Sequence, residues 1–232
     1  TKRSILFGCT NLAAENVGDV LSPLLRNRVT VMRKLSPTNE EWALNFAIPN
    51  GIDPILIAAA YEFPQFFHSF TDYEEPSPDH DFYDPRVPSR TAFVTCRSLA
   101  GCNPYVSNRM ILGDESVLQL VAGTIGFSAA HKIMTFMSLD DTLPKYEEIV
   151  SRPKETKVPE AAGAKIMLTL KLMQRVEQED YNEVHTYVER MPMEMQGLFF
   201  NQVIKVASKR KWVEKEPKFT EFVRKNFAMF TS

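Results

Sequence analysis

The sequence predicts a mainly α protein that opens with the remnant of a parallel α/β fold. Two short runs near the start, Ile5–Cys9 and Val29–Met32, have the apolar or β-branched composition of buried strands. After residue 36, apolar residues recur at helical spacing, as in Ile166, Leu170 and Met173. A parallel sheet needs more neighbours than two strands, so we expect the chain to begin inside an α/β domain whose first part lies upstream.

Composition and charge narrow the class of protein further. The 232 residues include 27 basic and 29 acidic side chains, and a net charge of −2 gives no global field that would attract nucleic acid or a membrane. A hydrophobic content of 44% excludes bulk disorder. Three cysteines leave one unpaired in any disulfide scheme, and no apolar run approaches the ~18 residues of a membrane helix. We therefore expect a cytoplasmic protein.

Three segments are expected along the chain: an α/β remnant over 1–36, a helical part over 37–150, and a C-terminal helical bundle over 151–232. The polar, proline-bearing stretch 151–159 is the best candidate boundary. The segment 71–86, called the acidic segment below, holds six acids and three prolines and predicts a loop or flexible insertion. Periodicity and capping signals predict helices over 39–47, 54–69 with a break at Pro64, 88–99, 115–124, 127–138, 144–150, 159–176, 178–190, 193–209 and 217–228.

The chain lacks the motifs of a self-contained enzyme. It contains no Gly-rich phosphate loop followed by Lys-Ser/Thr, no GxGxxG, no GxSxG, no HExxH and no CxxC. The four histidines stand singly and no cysteine has a histidine at ligand spacing, so we predict no metal site.

Three local features could nevertheless act on a phosphate group. Asn11 directly follows the first predicted strand, where an amide can orient a water molecule, although asparagine also simply begins turns. Arg26 and Arg28 lie between a predicted helix and strand and could reach a neighbouring subunit, or could only interact with a helix end. Arg90 stands in the predicted first turn of a helix, where a cation is disfavoured unless it meets an anion or a surface acid.

These features follow one another in a fixed order: a strand with Thr-Asn, then Leu-Leu-Arg-Asn-Arg-Val, then Pro-Ser-Arg-Thr-Ala. Over residues 1–138 this order resembles the C-terminal part of an AAA+ ATPase, most closely the MoxR and dynein-related group. The resemblance implies a P-loop ATPase core remnant followed by a helical lid. It implies that Asn11 is sensor 1, which polarises the attacking water, and that Arg28 is the arginine finger, with Arg26 as the fallback. It implies that Arg90 is sensor 2 on the lid.

The same resemblance implies ATP and Mg²⁺ as cofactors of the complete protein and a homo-oligomer, by family habit a hexameric ring. The phosphate-binding loop and the magnesium-holding acids of that family would lie upstream of Thr1, so this chain alone is expected to be inactive.

The alternative is a non-enzymatic helical interaction module. Residues 203–232 carry eight basic and three acidic side chains, and Lys209-Arg210-Lys211-Trp212 interleaves charge with an aromatic ring. Such a surface could dock an acidic protein partner through residues 151–232 or, more weakly, nucleic acid. No membrane partner is expected.

Overall fold

The computed structural model describes residues 28–30, 36–87 and 91–226. Its first helix, α1, spans Asn39–Trp42 and continues as a π-helical turn over Ala43–Ala47. The Thr38 hydroxyl accepts a hydrogen bond from the Glu41 backbone N–H, and the Glu41 carboxylate accepts one from the Thr38 N–H. This reciprocal capping box satisfies two N–H groups that a helix start otherwise leaves open. The predicted helix over 39–47 is confirmed.

Helix α2 spans Pro54–Glu62 and is the most deeply buried helix of the described chain. Asp53 caps it by accepting from the Ile55 N–H, and its residues from Pro54 to Ala60 are all buried. A helix that is apolar on every side must pack on every side. The predicted break at Pro64 is confirmed, because α2 ends there and 3₁₀ turns follow over Pro64–Phe67 and Phe70–Asp72.

The predicted helix over 88–99 is wrong. Thr91–Thr95 are not helical, and α3 spans Cys96–Gly101. Thr95 caps this helix through a reciprocal pair of hydrogen bonds with Ser98, and that pair fixes a start eight residues after Pro88. Arg90, with residues 88 and 89, lies outside the described residues, and α3 begins six positions after it in the sequence.

The next helices follow one another through short turns. Gly113 and Gly126 adopt φ of 76° and 91°, which favours glycine, and they end two of these helices. A Cβ at Gly126 would lie 3.1 Å from the Ala92 carbonyl oxygen, so this corner packs closely on the chain before α3. The helices are α4 (Asn103–Ser107), α5 (Arg109–Leu112), α6 (Asp114–Ile125), α7 (Phe127–Asp140) and α8 (Tyr146–Ser151).

Five further helices complete the described chain: α9 (Ala162–Arg175), α10 (Tyr181–Val188), α11 (Met193–Val203), α12 (Ala207–Val213) and α13 (Pro217–Lys225). The single helix predicted over 193–209 is thus two, because the chain turns after Val203. The turn lets Lys209 point inward, as described below.

One hydrophobic core joins the helices on both sides of residue 151. Helix α2 packs against both α7 and α9, and α9 also packs against α11. Gly163 permits the approach of α9 to α7, because a Cβ there would lie 2.6 Å from Cε1 of Phe136. The core extends from Trp42 to Phe222.

The stretch 151–159 is itself packed. The Thr156 hydroxyl donates to the Glu148 and Arg152 carbonyl oxygens, and Arg190 Nη1 donates to the Pro153 and Thr156 carbonyl oxygens, both at 2.7 Å. No break in packing marks this stretch, so a domain boundary there stays a prediction from composition.

The protein is mainly α over the described residues, as predicted. No strand is present among the described residues, although Phe82 and Val94 form an isolated parallel β-bridge. Most of the predicted α/β remnant over 1–36 lies outside the described residues and stays a prediction.

Candidate functional site

Of the four residues predicted to act on a nucleotide, the described chain includes one. Arg28 lies in the short stretch 28–30 and is exposed to solvent. Asn11, Arg26 and Arg90 lie outside the described residues, and their convergence on a phosphate stays a prediction.

After the 3₁₀ turn that ends at Asp72, the acidic segment is a loop, which is one of the two forms predicted for it. Arg86 holds it: its guanidinium donates to both carboxylate oxygens of Asp84 at 2.9 Å. The same guanidinium donates to the carbonyl oxygens of Tyr73, Glu74 and Phe70 at 2.9–3.2 Å. Asp84 is buried, and the hydrogen bonds from Arg86 hold the pKa of its carboxyl below the ordinary value. One arginine thus satisfies a buried acid and three backbone carbonyl groups.

A second ion pair fastens the acidic segment to α7. The Lys132 ammonium donates to the buried Asp81 carboxylate and lies over the rings of Phe63 and Phe66, at 5.2 and 5.6 Å from their centroids. Both buried acids of this segment are therefore engaged by cations. Among the residues that the structure describes, no group of three or more His, Cys, Asp or Glu side chains could hold a metal ion.

A cavity of about 490 Å³ lies beside the residues that follow Arg90. Thr91 and Ala92 line one side, Asp81 lines another, and the start of α7 at Phe127 and Ser128 lines a third. No side chain caps α7, and the Phe127 ring is 67% exposed.

A second charged side-chain network lies around Asp140 at the end of α7. The Asp140 carboxylate is buried and accepts from Arg109 Nη2 at 2.6 Å and from the Lys171 ammonium. Arg109 Nη2 also donates to Asp141 at 3.2 Å, while Arg109 Nη1 is buried without a hydrogen-bond partner. Each link joins residues about thirty positions apart, on α5, α7 and α9.

A pocket of about 760 Å³ opens beside this network, and we call it the Asp140 pocket. The Tyr146 ring lies 4.4 Å from the Arg175 guanidinium carbon, and its hydroxyl donates to Asp180 at 3.2 Å. Burial and the Asp180 charge raise the pKa of Tyr146, which keeps the phenol protonated as a donor. Arg175 also pairs with Glu147. The pocket is lined by Arg109, Asp140, Asp141, Leu143, Pro144, Lys145, Tyr146, Glu147, Leu168, Lys171, Leu172, Gln174 and Arg175.

Sequence reasoning missed the Asp140 pocket entirely. Arg109, Asp140 and Lys171 form no local motif, and each belongs to a different helix. The only signal in the sequence was weak: Lys171 lies four and three positions after the apolar Met167 and Leu168, on the same side of the predicted helix, where an unpaired charge would be costly.

The basic cluster near the C-terminus is divided between interior and surface. Lys209 is buried and its ammonium donates to the carbonyl oxygens of residues 173, 174 and 176 at the end of α9. Arg210 pairs with Glu214 at 2.6 Å, and Trp212 packs edge-on against Tyr181. Lys211 is the one member of the cluster that is left exposed without such a contact. The four residues do not form a continuous basic and aromatic surface.

The described residues thus define a mainly helical protein with a loop stapled by Arg86 and a charged pocket at Asp140. Within these ranges no helix combines the length and apolar content needed to cross a membrane. No family model, no curated protein and no solved structure matches the chain.

Proposed function

We propose that this chain is the C-terminal segment of an oligomeric AAA+ ATPase of the MoxR and dynein-related type, which couples ATP hydrolysis to the remodelling of a partner. The observation that carries the proposal is the order of Thr10-Asn11, Leu-Leu-Arg26-Asn-Arg28 and Pro-Ser-Arg90 along the chain. The mainly helical architecture after residue 36 supports it, because the family follows its α/β core with a helical lid. The C-terminal helices α9–α13 would then carry the docking surface for a protein partner.

In this proposal Arg28 acts on the nucleotide of the neighbouring subunit. Its exposure supports such a role, because a finger must leave its own fold to reach a partner. A guanidinium stabilises the charge that spreads over the transferring γ-phosphoryl oxygens. Asn11 would hold the attacking water, and Arg90 would contact the nucleotide from the lid.

Mg²⁺ does not fit the described residues. The two buried acids of the acidic segment, Asp81 and Asp84, already form ion pairs with Lys132 and Arg86. No cluster of three ligating side chains is present in the described ranges. The resemblance would assign the magnesium ligands and the phosphate-binding loop to other parts of the complete protein, and no step here depends on the metal.

The decisive test is Arg28→Ala in the longer protein, with its phosphate-binding loop present. We expect ATP turnover to fall roughly 10³–10⁵-fold, as for other arginine fingers, with nucleotide affinity nearly unchanged. Arg26→Ala is the matched control two residues away and should retain turnover. Loss of turnover in Arg26→Ala alone would transfer the role to that residue, and full activity in both variants would overturn the proposal.

Action between subunits has its own test. Arg28→Ala subunits mixed with subunits whose phosphate-binding loop is inactivated should regain turnover, because each supplies what the other lacks. No recovery on mixing, or a parallel collapse of nucleotide affinity in Arg28→Ala, would place Arg28 in its own subunit's site.

Lid contact by Arg90 predicts a different signature. Arg90→Ala should weaken nucleotide binding or lid closure. Unchanged affinity together with unchanged turnover would refute the assignment.

A further inference from the structure

We propose that the Asp140 pocket binds a small organic monoanion, a carboxylate whose charged head meets the cations of the pocket and whose body packs on its apolar wall. This proposal is independent of the ATPase assignment, since it depends on described side chains and on a binding measurement.

One cation among the charged residues that line the pocket has no acid partner. Four cations and three acids surround it. Asp140 and Asp141 are neutralised by Arg109 and Lys171, and Glu147 pairs with Arg175. The remaining cation, Lys145, forms no ion pair within the described part of the chain and is exposed. A ligand with a single negative charge would pair with Lys145.

The donors are held in place before a ligand arrives. The Arg109 guanidinium is anchored to two carboxylates, and Lys171 is anchored to Asp140 from a neighbouring helix. Anchored donors lose little conformational freedom on binding, which preserves affinity. Lys145, the unpaired cation, would add a charge-assisted hydrogen bond to the ligand's carboxylate.

The pocket also offers an apolar wall and sufficient room. Leu143, Pro144, Leu168 and Leu172 form that wall, and the volume of about 760 Å³ lies within the range typical of small-molecule sites. A free inorganic ion would leave the wall uncovered. A dianionic phosphate would bring two negative charges to a pocket that has three acids in its lining and Asp180 beside Tyr146. Both arguments favour an organic carboxylate.

Binding is tested by titrating the folded chain with three small ligands and recording heteronuclear NMR spectra. Benzoate carries the proposed charge and body, benzamide has nearly the same shape without the charge, and inorganic phosphate has charge without a body. We expect benzoate to shift resonances of α8 and α9 at the pocket and to bind at least about tenfold more tightly than benzamide, one charge-assisted contact being worth roughly that factor. Equal affinity for benzoate and benzamide, tighter binding of phosphate, or no saturable binding of benzoate would overturn the proposal.

Lys145→Gln is the informative variant, because Lys145 supports no ion pair whose loss could unfold the pocket. Benzoate affinity should fall about tenfold in Lys145→Gln. Lys165→Gln removes the same charge from α9 outside the pocket and should leave the affinity unchanged. An equal loss in both variants would show a general charge effect and refute the assignment of the head group to Lys145.

Discussion

Replacement of Lys209 by methionine tests how the C-terminal helices are fastened to α9. The Lys209 ammonium donates to three carbonyl oxygens, at 3.2 Å on Met173, 2.9 Å on Gln174 and 2.6 Å on Val176. These belong to the last turn of α9 and the residue after it, where a helix has no partners of its own for its carbonyl groups. Lys209 therefore acts as a cap supplied by another helix.

The size of the effect follows from what methionine cannot replace. Methionine fills a similar volume but donates no hydrogen bond, so three carbonyl oxygens around this buried residue lose a charged donor. A hydrogen bond to a charged group contributes about 1.5–3 kcal/mol to stability. Removal of the buried ammonium also removes the free-energy cost of its desolvation, which offsets part of the loss. Burial lowers the pKa of Lys209 from its ordinary value. The expected net loss in the free energy of unfolding is about 2–4 kcal/mol.

Urea unfolding followed by circular dichroism measures this loss. Lys211→Met is the matched control, because Lys211 lies two residues away, is exposed, and should change stability by less than about 0.5 kcal/mol. If the two variants unfold at the same urea concentration, the capping role of Lys209 is refuted.

Two further substitutions report on other buried groups. His185 is buried with both ring nitrogens lacking hydrogen bonds, and burial lowers its pKa from 6.5, so the unfolded chain binds a proton that the folded chain resists. The free energy of unfolding should therefore fall as the pH decreases below 6.5. This fall should be smaller in His185→Leu and unchanged in His131→Leu. The same pH dependence of stability in both variants would contradict this role of His185. Arg86→Ala leaves the buried Asp84 carboxylate without its donor, so limited proteolysis should cut the acidic segment sooner. Arg97→Ala, at an exposed arginine, should not, and equal cleavage in both would refute the staple.

Sequence reasoning located those helices whose boundaries are set by neighbouring residues. The capping box of Thr38 and Glu41 and the break at Pro64 depend on contacts within four positions, and both are confirmed. The helix start near residue 88 was wrong because two signals competed. Pro88 is a favourable first residue of a helix, but the reciprocal bonds of Thr95 and Ser98 fix the start at Cys96.

Features that depend on distant residues escaped prediction. In the sequence Arg86 is a single basic residue in an acidic loop. Only in the folded chain do three backbone carbonyl groups and the Asp84 carboxylate lie within hydrogen-bond distance of its guanidinium. Lys209 reads as part of an exposed basic cluster, since its burial requires the turn after Val203 and the end of α9 to meet. The Asp140 pocket needs three helices in place before its charges become neighbours.

Helix α7 links the two regions of interest mechanically. Lys132 on this helix holds the acidic segment through Asp81, beside the residues that follow Arg90, and Asp140 at its end anchors the charged pocket. Eight residues of α-helix separate these anchors by about 12 Å. Substitutions of either anchor would disturb a helix that is buried against α2 and therefore alter both regions together. Only side chains that line one region without supporting α7, such as Lys145, can separate the function of the pocket from the stability of the fold.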